Sequence, residues 1–196
     1  MLIDPSLSNQ KRQPGLVVWL TGLSGSGKTT IAIEVEKRLF VRQIPVYRLD
    51  GDVLRQGLNA DLGFSPAGRK ENIRRAAEVA RLFENAGLIL LASFISPQRS
   101  MREFARSLVP EGAFIEVYVQ ASLETCIQRD PKGNYQRALA GKIPNYTGID
   151  QEYEEPVNPE LVLNTEKLPI SACAARVVDE IDNRMTVLKQ RKNEEG

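Results

Sequence analysis

Apolar positions along this chain follow two alternating rhythms. Leu16-Val-Val-Trp-Leu-Thr21 carries no charge, which suits a strand covered on both faces. After a glycine-rich turn, the spacing predicts a helix over 28–42, with Ile31, Val35, Leu39 and Phe40 on its inner face. Val46-Tyr-Arg-Leu49 reads as a second strand, ending in Asp50-Gly-Asp52. Ser65-Pro66 is a helix start, with Ser as cap and Pro at the first helical position. That helix turns Ile73, Ala76, Ala77, Ala80, Leu82 and Phe83 inward and stops at Gly87. A third strand covers 88–94. A short helix follows over 99–108, on which Arg99, Arg102 and Arg106 form a solvated stripe. The fourth strand covers 113–119 and the next helix 123–129. Residues 130–155 are rich in Gly, Pro, Asn and charge, with little periodicity. About 25 residues is too long for a passive connection in a compact domain, so this stretch is expected to be a lid or binding loop. Leu161-Val-Leu163 is a short fifth strand, and 170–189 a closing helix with Cys173, Val177, Val178 and Ile181 inward.

Strands alternate with helices throughout, so the fold class is α/β, with a mainly parallel five-stranded sheet flanked by helices. A length of 196 residues fits one domain, 15–188, with its lid at about 130–155. A flexible arm at 1–14 and a frayed tail at 189–196 flank it. No run reaches the roughly 18 apolar residues of a membrane span, and the N-terminus lacks the apolar core of a signal peptide. The expected location is cytoplasmic, with no membrane partner.

Charge and composition narrow the chemistry. Lys+Arg is 26 against 25 for Asp+Glu, so no overall basic excess points to nucleic acid, and any anion site is local. There is no histidine, which excludes a Ser-His-Asp triad, a His-ligated metal and an imidazole proton shuttle. A general base must be a carboxylate, Lys, Tyr, Cys or water. Cys126 and Cys173 form no CxxC and make no zinc site; one disulfide between them stays open beside the preferred reading of two buried thiols in a reducing cytosol.

Gly22-Leu23-Ser24-Gly25-Ser26-Gly27-Lys28-Thr29 fits G-x-x-x-x-G-K-[ST], between a buried strand and a helix, where this motif belongs. The glycines let successive backbone N–H groups point inward around phosphate oxygens, and the helix N-terminus adds partial positive charge. Lys28 reaches the β- and γ-phosphates of ATP, and the Thr29 hydroxyl can ligate Mg²⁺. The third strand ends without an acid, and no N-K-x-D string is present, which argues against an ATPase or GTPase. Asp50 and Asp52 end the second strand, at the crevice side of a parallel sheet. If strand alternation persists, they point to opposite sides. One can orient an acceptor hydroxyl, and the other can hold Mg²⁺ through water.

The strings Gly22–Thr30, Leu49–Phe64, Arg69–Ala86, Phe94-Ile-Ser-Pro97, Arg129-Asp-Pro-Lys-Gly133 and Asn145-Tyr-Thr-Gly-Ile-Asp150, taken in order, resemble the adenylylsulfate (APS) kinase family. The resemblance implies a P-loop nucleotide kinase fold. The implied reaction moves the γ-phosphate of ATP to the 3′-hydroxyl of adenosine 5′-phosphosulfate. Position by position, it implies that Gly22 to Thr30 hold ATP, Thr30 included, with Arg129 near the base. It puts Asp52 beside the acceptor hydroxyl and Asp50 on the Mg²⁺ side with Thr29. Arg55, Arg69 and Asn72 would hold the phosphosulfate and ribose, and Phe64 and Tyr146 would sandwich the adenine. Ile95 and Ser96 would line the acceptor, and Lys132 would reach from the lid toward the anions. Ser96 matches a serine described in some members as a phosphoserine intermediate, although direct in-line transfer needs no covalent serine. The family usually reads D-G-D-N, and Val53 stands here in place of the Asn. A homodimer is compatible with the family. Two alternatives stay open on the residues alone: another P-loop small-molecule kinase, of shikimate or nucleoside type, and a regulatory module that binds ATP without transferring phosphate.

Overall fold

The computed structural model describes residues 13–194. The strands are β1 (Leu16–Thr21), β2 (Val46–Asp50), β3 (Ile89–Ser93), β4 (Phe114–Gln120) and β5 (Leu161–Asn164). They form one sheet in the order β2-β3-β1-β4-β5, every neighbouring pair parallel. Parallel strands need crossovers, and helices supply them: α1 (Lys28–Val41), α2 (Gly51–Gln56), α3 (Pro66–Asn85), α4 (Arg99–Ser107), α5 (Leu123–Arg129) and α6 (Asn134–Leu139); α7 (Ile170–Glu194) follows the last strand.

β1 is the central strand and all six of its residues are buried, because helices cover both faces of the sheet. Trp19 stacks on Phe94 and Phe114 at centroid distances of 5.0 and 6.1 Å. Each large side chain buried this way contributes roughly 1.5–3 kcal/mol relative to exposure. α1 packs on α7, and α3 on α4. Ser65 caps α3 by accepting from the Gly68 N–H, with Pro66 inside the first turn.

Registry sets the position of the site. Ser93 lies beside Leu20 on one side and Asp50 on the other, so β1, β2 and β3 end at one edge. The loops after them therefore open into a common crevice, outside the carboxyl ends of the strands, where the chain switches sides of the sheet.

Several expectations need correction. Phe40 and Leu82 are exposed, at 77% and 60%. Each lies nine residues beyond the start of its apolar stripe, Ile31 or Ile73. At 3.6 residues per turn that is two and a half turns, on the opposite side. Of the expected arginine stripe on α4 only Arg99 is exposed. Arg102 is buried against Glu116, and Arg106 makes a two-pronged ion pair with Glu160. Residues 130–155 are not structureless: α6 lies within them, and its Tyr135 is fully buried in a small apolar cluster with Cys126 and Ala121. The closing helix runs to Glu194, past the expected end at 189; residues 195–196 lie outside the described residues. Of the expected arm, 1–12 also lie outside. Gln13 is anchored through its side-chain amide, which donates to the Gly87 carbonyl at 3.0 Å. Both cysteines are free and buried.

Candidate active site

The turn after β1 is built on glycine for steric reasons. Gly22 has φ 146°, and a Cβ there would sit 2.4 Å from the Val119 carbonyl oxygen. Gly27, at φ 107°, precedes the first turn of α1. L-residues with side chains rarely adopt such angles, so the curl of the turn depends on these glycines. The curl brings Lys28 back over its own loop, where its ammonium donates to the Gly22 and Leu23 carbonyls at 2.9 and 2.7 Å. Burial pushes the Lys28 pKa down to about 8 from 10.5, with nearby anionic groups, Asp50 among them, opposing the shift.

β2 ends two residues before the expected second carboxylate, Asp52. Asp50 is the last strand residue and the cap of α2; its Oδ1 accepts from the Asp52 N–H at 2.9 Å. Strand alternation therefore stops, and the helical turn rather than the pleat sets how Asp50 and Asp52 diverge. Asp50 is buried, and its Oδ2 accepts from the Thr29 hydroxyl at 2.7 Å. Asp52 is exposed and forms an ion pair with Lys132, from the segment before α6. The hydroxyl–carboxylate pair of Thr29 and Asp50 supplies hard oxygen atoms side by side, a donor set that fits Mg²⁺.

On the opposite wall, Phe64 is 56% exposed, with the Arg55 guanidinium 4.3 Å above its ring. Arg55 also donates to the Leu62 carbonyl at 3.1 Å. Arg69, on the first turns of α3, donates to the Phe64 carbonyl, the Thr147 hydroxyl and the Asn145 carbonyl, and so ties α3 to the 130–155 segment. Burial lowers the pKa of Arg69, and Arg55 nearby adds to the effect. Asn72 is buried and accepts from the Asn59 amide at 3.0 Å. Tyr146 meets the edge of Tyr135 at 5.1 Å.

All these groups line one cleft of about 1160 Å³, shared by Ser24, Lys28, Thr29, Asp50, Asp52, Arg55, Phe64, Arg69, Asn72, Ile95, Ser96, Arg129, Lys132 and Tyr146. That exceeds the roughly 300–1,000 Å³ of a typical single-ligand site, and two ligands end to end fit such a space. Arg129 donates to Gly25 and Thr165 at one end of the cleft. Val53 lines it too and is exposed. The Ser96 hydroxyl is buried, donates to Thr21 at 3.0 Å and accepts from the Trp19 indole at 3.1 Å.

Sequence reasoning missed Thr165, whose hydroxyl also donates to the Ser26 carbonyl at 2.9 Å. It follows β5 directly, and the rule that loops after parallel strands face the crevice would have flagged it. Thr147 was passed over as well, although its hydroxyl accepts from Arg69. It lies beside Tyr146, in a string that the resemblance named without giving Thr147 a role.

The family profile described as adenylylsulphate kinase matches residues 14–164. An adenylyl-sulfate kinase of Geotalea uraniireducens is 52% identical over 169 residues, covering 86% of this chain and 81% of its own. A probable adenylyl-sulfate kinase of Halalkalibacterium halodurans is 50% identical over 179 residues, covering 89% of each chain. Among solved structures, the APS kinase of Mycobacterium tuberculosis in complex with AMPPNP and APS superposes with a TM-score of 0.83 at 46% identity. That match covers 86% of this chain and 98% of the other.

Proposed function

The chain belongs to the adenylylsulfate kinase family, and from that membership we propose how its cleft performs the reaction. The protein is a kinase that phosphorylates the 3′-hydroxyl of adenosine 5′-phosphosulfate with ATP, giving ADP and 3′-phosphoadenylyl sulfate. One observation carries the assignment of the parts: the phosphate-cradling turn and the wall of Phe64, Arg69 and Asn72 face each other across a single cleft, with Asp52 among its lining groups.

In this reading the backbone N–H groups of Gly22 to Thr30 and the Lys28 ammonium hold the transferring phosphate, and Arg129 flanks the nucleotide end. Thr29 and Asp50 would hold Mg²⁺, Asp50 through water. When bound, the ion neutralises charge on the phosphates. Arg55 and Arg69 meet the phosphosulfate with planar guanidinium forks suited to tetrahedral oxyanions. Phe64 and Tyr146 flank the adenine. Asp52 accepts the 3′-hydroxyl and aims it in line, for which it must exchange the Lys132 ammonium for the substrate. Lys132, freed, turns to the anions. Segment 130–155 closes over both substrates and excludes water, which prevents wasteful hydrolysis of ATP. The partner implied is a small molecule. The reading also includes a cytoplasmic location, where ATP is supplied, and a homodimer, which sedimentation would test.

The assay is ADP release with ATP and Mg²⁺, run with APS, AMP, shikimate or gluconate as acceptor. Turnover should require APS. Turnover with shikimate or gluconate and not with APS would assign a different P-loop kinase.

A further inference from the structure

Beneath the acceptor wall lies a buried cation that the reaction as described does not use. Arg102, on α4, is 2% exposed, and its guanidinium spends all three nitrogens on three different parts of the chain. Nε donates to Glu116 Oε1 on β4 at 2.7 Å. Nη1 donates to the Ser96 carbonyl at 2.6 Å, and Nη2 to the Glu154 carbonyl at 2.7 Å. Ser96 sits at φ 40°, in the left-handed region that non-glycine residues rarely occupy, so its loop keeps this conformation only because its surroundings hold it.

The same loop is pinned from its other side. The Thr21 hydroxyl, at the end of β1, donates to the Ile95 carbonyl at 2.8 Å and receives the Ser96 hydroxyl. One hydroxyl has one proton to give, so the third contact, with the Tyr153 hydroxyl at 2.9 Å, must be donated by Tyr153. Tyr153 and Glu154 belong to the far end of the 130–155 segment, and the Glu154 N–H returns to the Pro97 carbonyl at 2.8 Å. The wall segment Ile95–Ser96 is thus held between the strand that enters the phosphate-cradling turn and the Tyr153–Glu154 end of the 130–155 segment.

We propose that Arg102 is a positioning residue for the acceptor: through the Ser96 and Glu154 carbonyls it sets the Ile95–Ser96 wall and the anchored end of the lid in one geometry, so its effect falls on APS and not on ATP. This rests on the reading of the cleft as an APS kinase site. The phosphate-cradling turn touches no atom of Arg102 among the described contacts, whereas the acceptor wall is bonded to it directly. A displacement of about 1 Å at a reacting group costs up to roughly a hundredfold in rate, so a loosened wall has a measurable consequence.

Two variants test the idea. Arg102→Lys keeps a charge against Glu116 but cannot meet three acceptors spread in a plane. The pair Arg102→Met with Glu116→Leu removes the buried ion pair as a unit and leaves no orphaned carboxylate, the change most compatible with folding. Steady-state kinetics with each substrate varied in turn should give a KM for APS raised about tenfold or more in both, with the KM for ATP within about twofold of wild type. Unchanged APS KM in either folded variant overturns the proposal. So does a parallel loss for both substrates, or loss of the folded state in both variants, since Arg102 would then maintain the fold generally. Absence of APS-dependent turnover in the wild-type protein would instead sink the reading of the site.

Discussion

In the proposed reading, Lys28 and Asp52 divide the work at the level of single side chains. Lys28 is buried and already wrapped by its own loop carbonyls, so it is placed before any phosphate arrives. Such preorganised donors are worth roughly 10²–10³ in kcat, and Lys28→Ala should lose activity on that scale in the ADP-release assay. A variant keeping half the wild-type rate would remove Lys28 from the transferring phosphate. Asp52 is exposed and paired with Lys132, the arrangement expected of a carboxylate that trades one partner for another. With no histidine in the chain, the proposed reading gives Asp52 the acceptor hydroxyl. Asp52→Asn keeps shape but loses charge, and should cut kcat by about 10²–10⁴ with little change in ATP affinity. Near wild-type transfer, or full rescue by added Mg²⁺, would contradict the role. In the same reading the aromatic pair, Phe64 and Tyr146, acts through its faces. Phe64→Ala and Tyr146→Ala should each weaken APS binding by on the order of 1–3 kcal/mol and leave ATP binding nearly unchanged, measured by titration calorimetry. Tyr146→Phe keeps the ring and should cost at most a few-fold. A loss confined to ATP would put both rings in the other subsite.

At the scale of elements, what sequence could deliver depended on how local the cause was. The turn at Gly22–Thr29 is dictated by its own glycines, and the cap at Ser65-Pro66 by its own hydroxyl and ring, so both were legible. α2 was not: it is six residues long, and its start depends on Asp50 turning from strand residue into cap. The pairing of Arg102 with Glu116 and of Arg106 with Glu160 was invisible for a different reason. Those partners come from β4 and from the residues before β5, and an arginine at helical spacing reads as solvated until the topology brings an acid to it. α6 hid because one buried aromatic, Tyr135, rather than a periodic stripe, holds it down. The same anchoring shapes what the lid can do. Tyr135, Thr147 and the Tyr153–Glu154 return are fixed, while Lys132 lies exposed just before Tyr135, and Arg137 and Lys142 lie exposed between Tyr135 and Thr147. Closure should therefore move the exposed spans about fixed points rather than swing the whole segment. Trypsin cleavage at those three residues should slow several-fold when a non-hydrolysable ATP analogue and APS are both present. Equal cleavage rates with and without ligands would mean that these residues do not close over the substrates.

Over the whole molecule the charge is +1, yet eight cationic side chains and only two carboxylates line the cleft. The sheet order produces this concentration, because loops after several strands deliver their arginines and lysines to one edge. The molecule stores a cost there: Lys28 is a buried ammonium with a pKa near 8, well below its unfolded value near 10.5. The sign follows from linkage. Between those two values the unfolded chain binds a proton that the folded chain does not, so the penalty is present in full below about pH 8 and fades as pH rises toward 10.5. Bound phosphates reverse the local balance by favouring the charged ammonium, so nucleotide binding above pH 8 must draw in a proton. At pH 8.5 the free protein should lack this proton in about three quarters of molecules. Calorimetry of nucleotide binding in two buffers of different ionisation enthalpy measures the uptake, and Lys28→Gln in the same buffers subtracts the nucleotide's own titration. The wild type should take up about 0.7 proton more than the variant at pH 8.5 and close to none more at pH 6.5, with affinity falling as pH rises through 8. Equal uptake by the two proteins at pH 8.5 would mean that the loop carbonyls already keep Lys28 charged, and that its burial is no obstacle to the phosphate it receives.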